Sequence, residues 1–70
     1  MNSNKTFFLN GHKLYTTRDL TIHDTLRYFQ YTNQVFVVEY NKMICNQKNW
    51  PIIKINTNDK IEIITVVGGG

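Results

Sequence analysis

Hydrophobic positions along this chain change period twice. Residues 6–9 (Thr-Phe-Phe-Leu) and 12–16 (His-Lys-Leu-Tyr-Thr) are short β-type runs separated by Asn10-Gly11. Asn-Gly is the strongest two-residue hairpin signal, because a type I′ turn needs positive φ at both central positions. That turn sets Leu9 opposite His12 and Phe7 opposite Leu14. Phe7, Leu9 and Leu14 then share one face, and Phe8, Lys13 and Tyr15 take the other. Beyond a connector at 17–20 the period becomes helical. Thr21 reads as an N-cap, and Asp24 completes an acidic variant of the capping box. Ile22, Leu26 and Phe29 recur at i, i+4 and i+7, one apolar stripe of a short helix.

From residue 34 the β pattern returns. Residues 34–40 are β-branched and aromatic and predict a strand, with a turn at Asn41-Lys42 and a short strand over 43–45. Residues 46–49 read as loop. Trp50-Pro51 predicts an extended bend, since the residue before proline avoids the helical region. Residues 52–55 form a short extended or 3₁₀ piece, 57–59 a turn, and 60–67 the last strand. Hairpin, helix and further strands in that order imply α+β architecture, with the helix on one sheet face.

Seventy residues make one small domain over 1–70, burying only about 60% of the surface its unfolded chain exposes. A large internal active site does not fit that size. Residues 1–5 are expected to fray. No apolar run approaches the ~20 residues of a membrane span, and the polar N-terminus does not read as a signal peptide. A single cysteine, Cys45, rules out an internal disulfide and fits a reducing compartment. The net charge of +3 raises the question of nucleic acid. The eight basic residues are scattered, however, and a phosphate-tracking surface needs clustered charge.

Candidate chemistry lies at the end of the chain. Val66-Val67 runs straight into Gly68-Gly69-Gly70. Glycine is poor material for ending a strand, so the tail reads either as a loose end or as a thread that lets something reach the last carboxylate. The glycines and Val67 would extend roughly 13–14 Å from the body. Other reactive side chains fit bland roles. Cys45 sits in an apolar strand and reads as a buried thiol. His12, His23 and Cys45 lack metal-ligand spacing, so no metal site is expected. Ser3 has no base nearby, Asp19 and Asp24 read as loop and helix-start acids, and Trp50 packs under its loop. No glycine-rich loop precedes a helix, so no nucleotide or other cofactor is expected to bind.

The chain resembles the ThiS family of ubiquitin-like sulfur carriers over roughly residues 6–70. The resemblance is carried by Leu9-Asn10-Gly11, by Thr21-Ile22-His23-Asp24-Thr25-Leu26, and by the run Val37-Val38-Glu39-Tyr40-Asn41-Lys42-Met43-Ile44. Above all it is carried by Asn58-Asp59-Lys60-Ile61-Glu62-Ile63-Ile64, leading into Val67-Gly68-Gly69-Gly70. It implies a β-grasp fold, a mixed sheet of four to five strands with one main helix. It implies a carrier rather than an enzyme, with Gly70 as the residue that is adenylated and then converted to a thiocarboxylate. Gly68 and Gly69 would thread the partner's active site.

The implied partners are an E1-like adenylating enzyme using ATP, thiazole synthase, and indirectly a cysteine desulfurase or other persulfide donor. The free chain would be a monomer, in a bacterial cytoplasm or a plastid stroma. By strand parity Phe8, Ile64 and Val66 lie on the outer sheet face. If the first and last strands are neighbours, they form an apolar docking patch. The alternatives are the carrier subunit of molybdopterin synthase, a ubiquitin-like protein modifier, and a binding module with a loose glycine end. This chain differs from many family members in being basic, and it has Asn-Lys where Asn-Gly is common after the third strand.

Overall fold

The first hairpin forms as its residues dictate. In the structure, a computed structural model that describes residues 4–29, 31 and 35–65, β1 (Lys5–Leu9) pairs antiparallel with β2 (His12–Thr16). Asn10 and Gly11 both have positive φ, 51° and 82°, as a type I′ turn requires. Leu9 faces His12 and Phe7 faces Leu14, the expected register. β1 starts at Lys5, one residue inside the stretch expected to fray. The Lys5 ammonium is held 3.0 Å from Asp19 of the following loop.

Helix α1 (Ile22–Tyr28) carries the full capping box. The Asp24 N–H donates to Thr21 Oγ1 at 3.0 Å, and the Thr21 N–H donates to Asp24 Oδ2 at 3.1 Å. The bond from the Thr21 backbone N–H is the largest cause holding the Asp24 carboxyl below its usual pKa. The buried stripe is Ile22, Thr25 and Leu26, not the expected Ile22, Leu26 and Phe29. The helix ends at Tyr28, so Phe29 is its C-cap and is 40% exposed. The carbonyl of Leu26 accepts the Tyr31 N–H at 2.9 Å, and Tyr31 packs against the core where Phe29 was expected.

β3 (Phe36–Tyr40) and β4 (Met43–Cys45) form the second hairpin. Its turn has positive φ at Asn41 and Lys42, 52° and 72°, so it too has the φ signs of a type I′ turn, without a glycine. The segment expected to be loop and extended bend is instead a series of tight turns. Gln47–Asn49 is a 3₁₀ helix capped by the Asn46 side chain. Trp50 is helical, with φ −56° and ψ −42°, although Pro51 follows it.

Three contacts outweigh the pre-proline preference at Trp50. Its N–H donates to the Gln47 carbonyl at 3.1 Å, and its Nε1 donates to the Cys45 carbonyl at 3.2 Å. Its ring stacks on Phe36, with centroids 5.4 Å apart and planes 6° from parallel. The indole packs beneath its own loop, as expected.

β5 (Lys60–Thr65) completes a five-stranded sheet of order β2-β1-β5-β3-β4. It is parallel to β1 and antiparallel to β3. The core lies between the sheet and α1. It comprises Phe7, Leu9, Ile22, Leu26, Val38, Cys45, Ile55, Ile61 and Ile63.

Candidate functional site

The last strand in sequence is the central strand in space, because β1 and β3 flank β5 on its two sides. Whatever follows Thr65 leaves from a strand held along both edges. Gly68, Gly69 and Gly70 follow Thr65 in sequence, and with Val66 they lie outside the described residues.

The start of β5 is pinned by a buried carboxylate. Asp59 is 7% exposed. Its Oδ2 accepts the Tyr40 hydroxyl at 2.5 Å and the Asn56 N–H at 2.7 Å, and its Oδ1 accepts Asn41 Nδ2 at 3.1 Å. Asn41 adds two bonds to Lys60. Its Oδ1 accepts the Lys60 N–H at 2.8 Å, and its own N–H donates to the Lys60 carbonyl at 2.7 Å. Burial, and then the hydrogen bond and charge of Asp59, push the Tyr40 phenol up to about 12.

The sequence predicts the turn at 57–59 but not this network. Positive φ at Asn58, 71°, is the turn it foresaw. The signal it lacked was the placement of the second hairpin's Tyr40 and Asn41 over Asp59.

At its other end β5 continues past β1. The Asn10 N–H donates to the Ile61 carbonyl at 2.9 Å. One step further, Asn10 Oδ1 accepts the Ile63 N–H at 2.7 Å. On the opposite edge the β3 ladder runs on to the pair Phe36 and Thr65.

The first and last strands are neighbours, as the outer-face patch required. Their register separates two of its members. Phe8 pairs with Lys60. Ile64 lies four residues further along β5, roughly 13 Å away, with Glu62 between on the same face. The cross-strand neighbour of Ile64 is Val37. Ile64 is 46% exposed and Val37 37%, whereas Phe8 is half-buried. Among the described residues the exposed apolar side chains nearest the end of β5 are therefore Val35, Val37 and Ile64, and Phe8 stands apart from them.

Cys45 is buried, which raises its thiol pKa and gives it the expected core role. Asp24 acts as the expected helix-start acid. Asp19 lies in the loop as expected and pairs with Lys5, whose hydrogen bond and charge lower its carboxyl pKa. Among the described residues no three His, Cys, Asp or Glu side chains cluster as a metal site would need. Among them too, no helix is long and apolar enough to cross a membrane.

A helix packed on a five-stranded mixed sheet, with a central C-terminal strand parallel to the first, is the ubiquitin-like β-grasp architecture. The ThiS family model matches residues 8–70. The chain is 36% identical over 63 residues to the sulfur carrier protein ThiS of Bacillus subtilis, covering 89% of this chain and 96% of that one. It is 56% identical over 66 residues to the uncharacterized protein ycf40 of Trieres chinensis, covering 94% and 90% of the two chains. In fold it is similar to the crystal structure of the thiamine biosynthesis protein ThiS from Geobacter metallireducens. That similarity has a TM-score of 0.78 at 18% identity, over 93% of this chain and 99% of that one. The chain belongs to the ThiS family.

Proposed function

We propose that this chain carries sulfur for assembly of the thiamine thiazole, with the Gly70 carboxyl as the carrying group. The observation that supports this reading most is the family match, which spans residues 8–70 and so includes the glycine tail. The central β5 gives that tail a rigid base.

In this mechanism an E1-like partner uses ATP to convert the Gly70 carboxylate to an acyl-adenylate, with pyrophosphate leaving. Adenylation turns a poor electrophile into one with AMP as leaving group. A persulfide sulfur attacks the acyl carbon and AMP departs. A thiol reductant then supplies two electrons to cleave the resulting S–S bond, leaving the C-terminal thiocarboxylate. Thiazole synthase accepts that sulfur as the heterocycle forms.

The chain itself acts as carrier and not as catalyst. Its contribution is to deliver a tethered sulfur nucleophile at high effective concentration. Glycine leaves the acyl carbon open to attack, and Gly68 and Gly69 let the backbone lie against partner walls. ATP binds to the activating partner. Docking uses the outer sheet face, with Phe8, Ile64 and Val66 as candidate contacts. The proposed compartment is a bacterial cytoplasm or a plastid stroma.

The test is intact mass after incubation with an adenylating enzyme that charges Bacillus subtilis ThiS, ATP and a persulfide donor. The expected result is replacement of one oxygen by sulfur at the C-terminus, absent when Gly70 is deleted. Adducts on lysines of other proteins would indicate a protein modifier instead. Charging that supports molybdopterin synthesis and not thiazole formation would move the chain to the other sulfur-carrier pathway. An unchanged mass, with the Bacillus subtilis carrier charged in parallel, overturns the reading.

A further inference from the structure

Asn10 is the only residue of the first turn whose side chain bonds the terminal strand among the described residues. In a regular parallel ladder the acceptor for the Ile63 N–H would be the next main-chain carbonyl of the neighbouring strand. β1 has no next strand residue to offer. The chain enters the turn at Asn10, with φ 51°, and its backbone leaves the sheet. The side-chain amide oxygen takes the place of that carbonyl, 2.7 Å from the Ile63 nitrogen. It thus prolongs support of β5 by one rung on the β1 side, up to a residue only seven positions before Gly70. A residue at this place must do two things: adopt positive φ and present an acceptor. Asparagine and aspartate do both at little cost, and glycine does only the first.

We infer that Asn10 is a positioning residue for the C-terminal tail: its amide fixes the course on which β5 leaves the sheet, and so the approach of Gly70 to a partner's active site. This inference rests on the carrier reading above. Beyond Ile63 only the β3 ladder, out to Thr65, holds β5, so the Asn10 rung is the last support on the β1 side. Small misplacements of a reacting atom are costly in rate even when binding is intact. Asn10 acts through Ile63, seven residues before Gly70, and is not itself part of the reacting terminus.

Two variants separate the roles of the residue. Asn10→Gly keeps the turn and removes the acceptor, whereas Asn10→Asp keeps both. In Asn10→Gly the Ile63 amide is expected to exchange with solvent about tenfold faster, while the amides of Leu14 and Val38 keep their wild-type protection. Steady-state charging by the adenylating enzyme should show kcat reduced about tenfold, with KM changed less than twofold. Asn10→Asp should restore both readings to within about twofold of wild type. Wild-type kcat in Asn10→Gly, or an Asn10→Asp as slow as Asn10→Gly, would overturn the inference. A loss that falls wholly in KM would also overturn it, since that marks a docking contact. Failure of the wild-type chain to charge sinks the carrier reading instead. In that case an unchanged Ile63 exchange rate in Asn10→Gly still refutes the role given to Asn10.

Discussion

The Tyr40 hydroxyl donates to a buried carboxylate, and that pairing makes its titration a probe of the base of β5. The phenol is raised to about 12, by burial first and by Asp59 second. An ordinary tyrosine titrates near 10, so between pH ~10 and ~12 the folded chain holds a proton that the unfolded chain has lost. The pairing therefore contributes its full stability below pH ~10 and loses it as pH rises toward ~12. In a spectrophotometric titration of the four tyrosines, one is expected to ionise late, and Tyr40→Phe should remove that late step. A Tyr40→Phe curve that keeps it would place the high pKa elsewhere. Nothing at the level of residue type marked Asp59 for this role. An Asn-Asp pair reads as a turn wherever it falls, and the side chains that bond the carboxylate lie 18 and 19 residues away.

At the level of elements, local chemistry was a sound guide wherever neighbouring residues supplied the deciding interactions. The Asn10-Gly11 hairpin and the Thr21–Asp24 capping box are of this kind. Prediction failed where a long-range contact outweighed a local preference. Trp50 is helical before proline because Phe36 and the Cys45 carbonyl hold its ring. Phe29 falls off the helical stripe because α1 stops one residue earlier.

The β3–β4 turn retains a local conflict. Lys42 is exposed and holds φ 72°, a region that L side chains enter at a cost of roughly 1 kcal/mol. Lys42→Gly should remove most of that cost. It is expected to stabilise the chain by about 0.5–1 kcal/mol, set against the entropy glycine adds to the unfolded state. In thermal unfolding the midpoint should rise by about 2–8 °C. A fall would mean that the Lys42 side chain makes a stabilising interaction larger than the strain.

At the scale of the whole molecule, strand order and register decide what the tail and its surroundings present. Phe8 and Ile64 share a face, yet about four residues of register separate them. Sites that far apart act independently unless they share a partner group. Phe8→Ala and Ile64→Ala should each weaken docking to the adenylating partner. In a calorimetric double-mutant cycle their effects should add to within about 0.5 kcal/mol. A coupling above ~1 kcal/mol would show that the two act as one patch.

The sequence by itself determined the one helix and its cap, the five strands, the positions of both hairpin turns, the strand parity and the terminal strand that leads to the glycines, but not the 3₁₀ helix at Gln47–Asn49. Each depends on residues within a few positions of one another, where backbone sterics and hydrogen bonding act directly. Only the tertiary structure decided that β5 is central, that Asp59 closes its base, that Asn10 prolongs its edge and that Phe8 stands apart from Ile64. Those depend on register between segments up to 53 residues apart, which is set by packing of the whole core and not by any local preference.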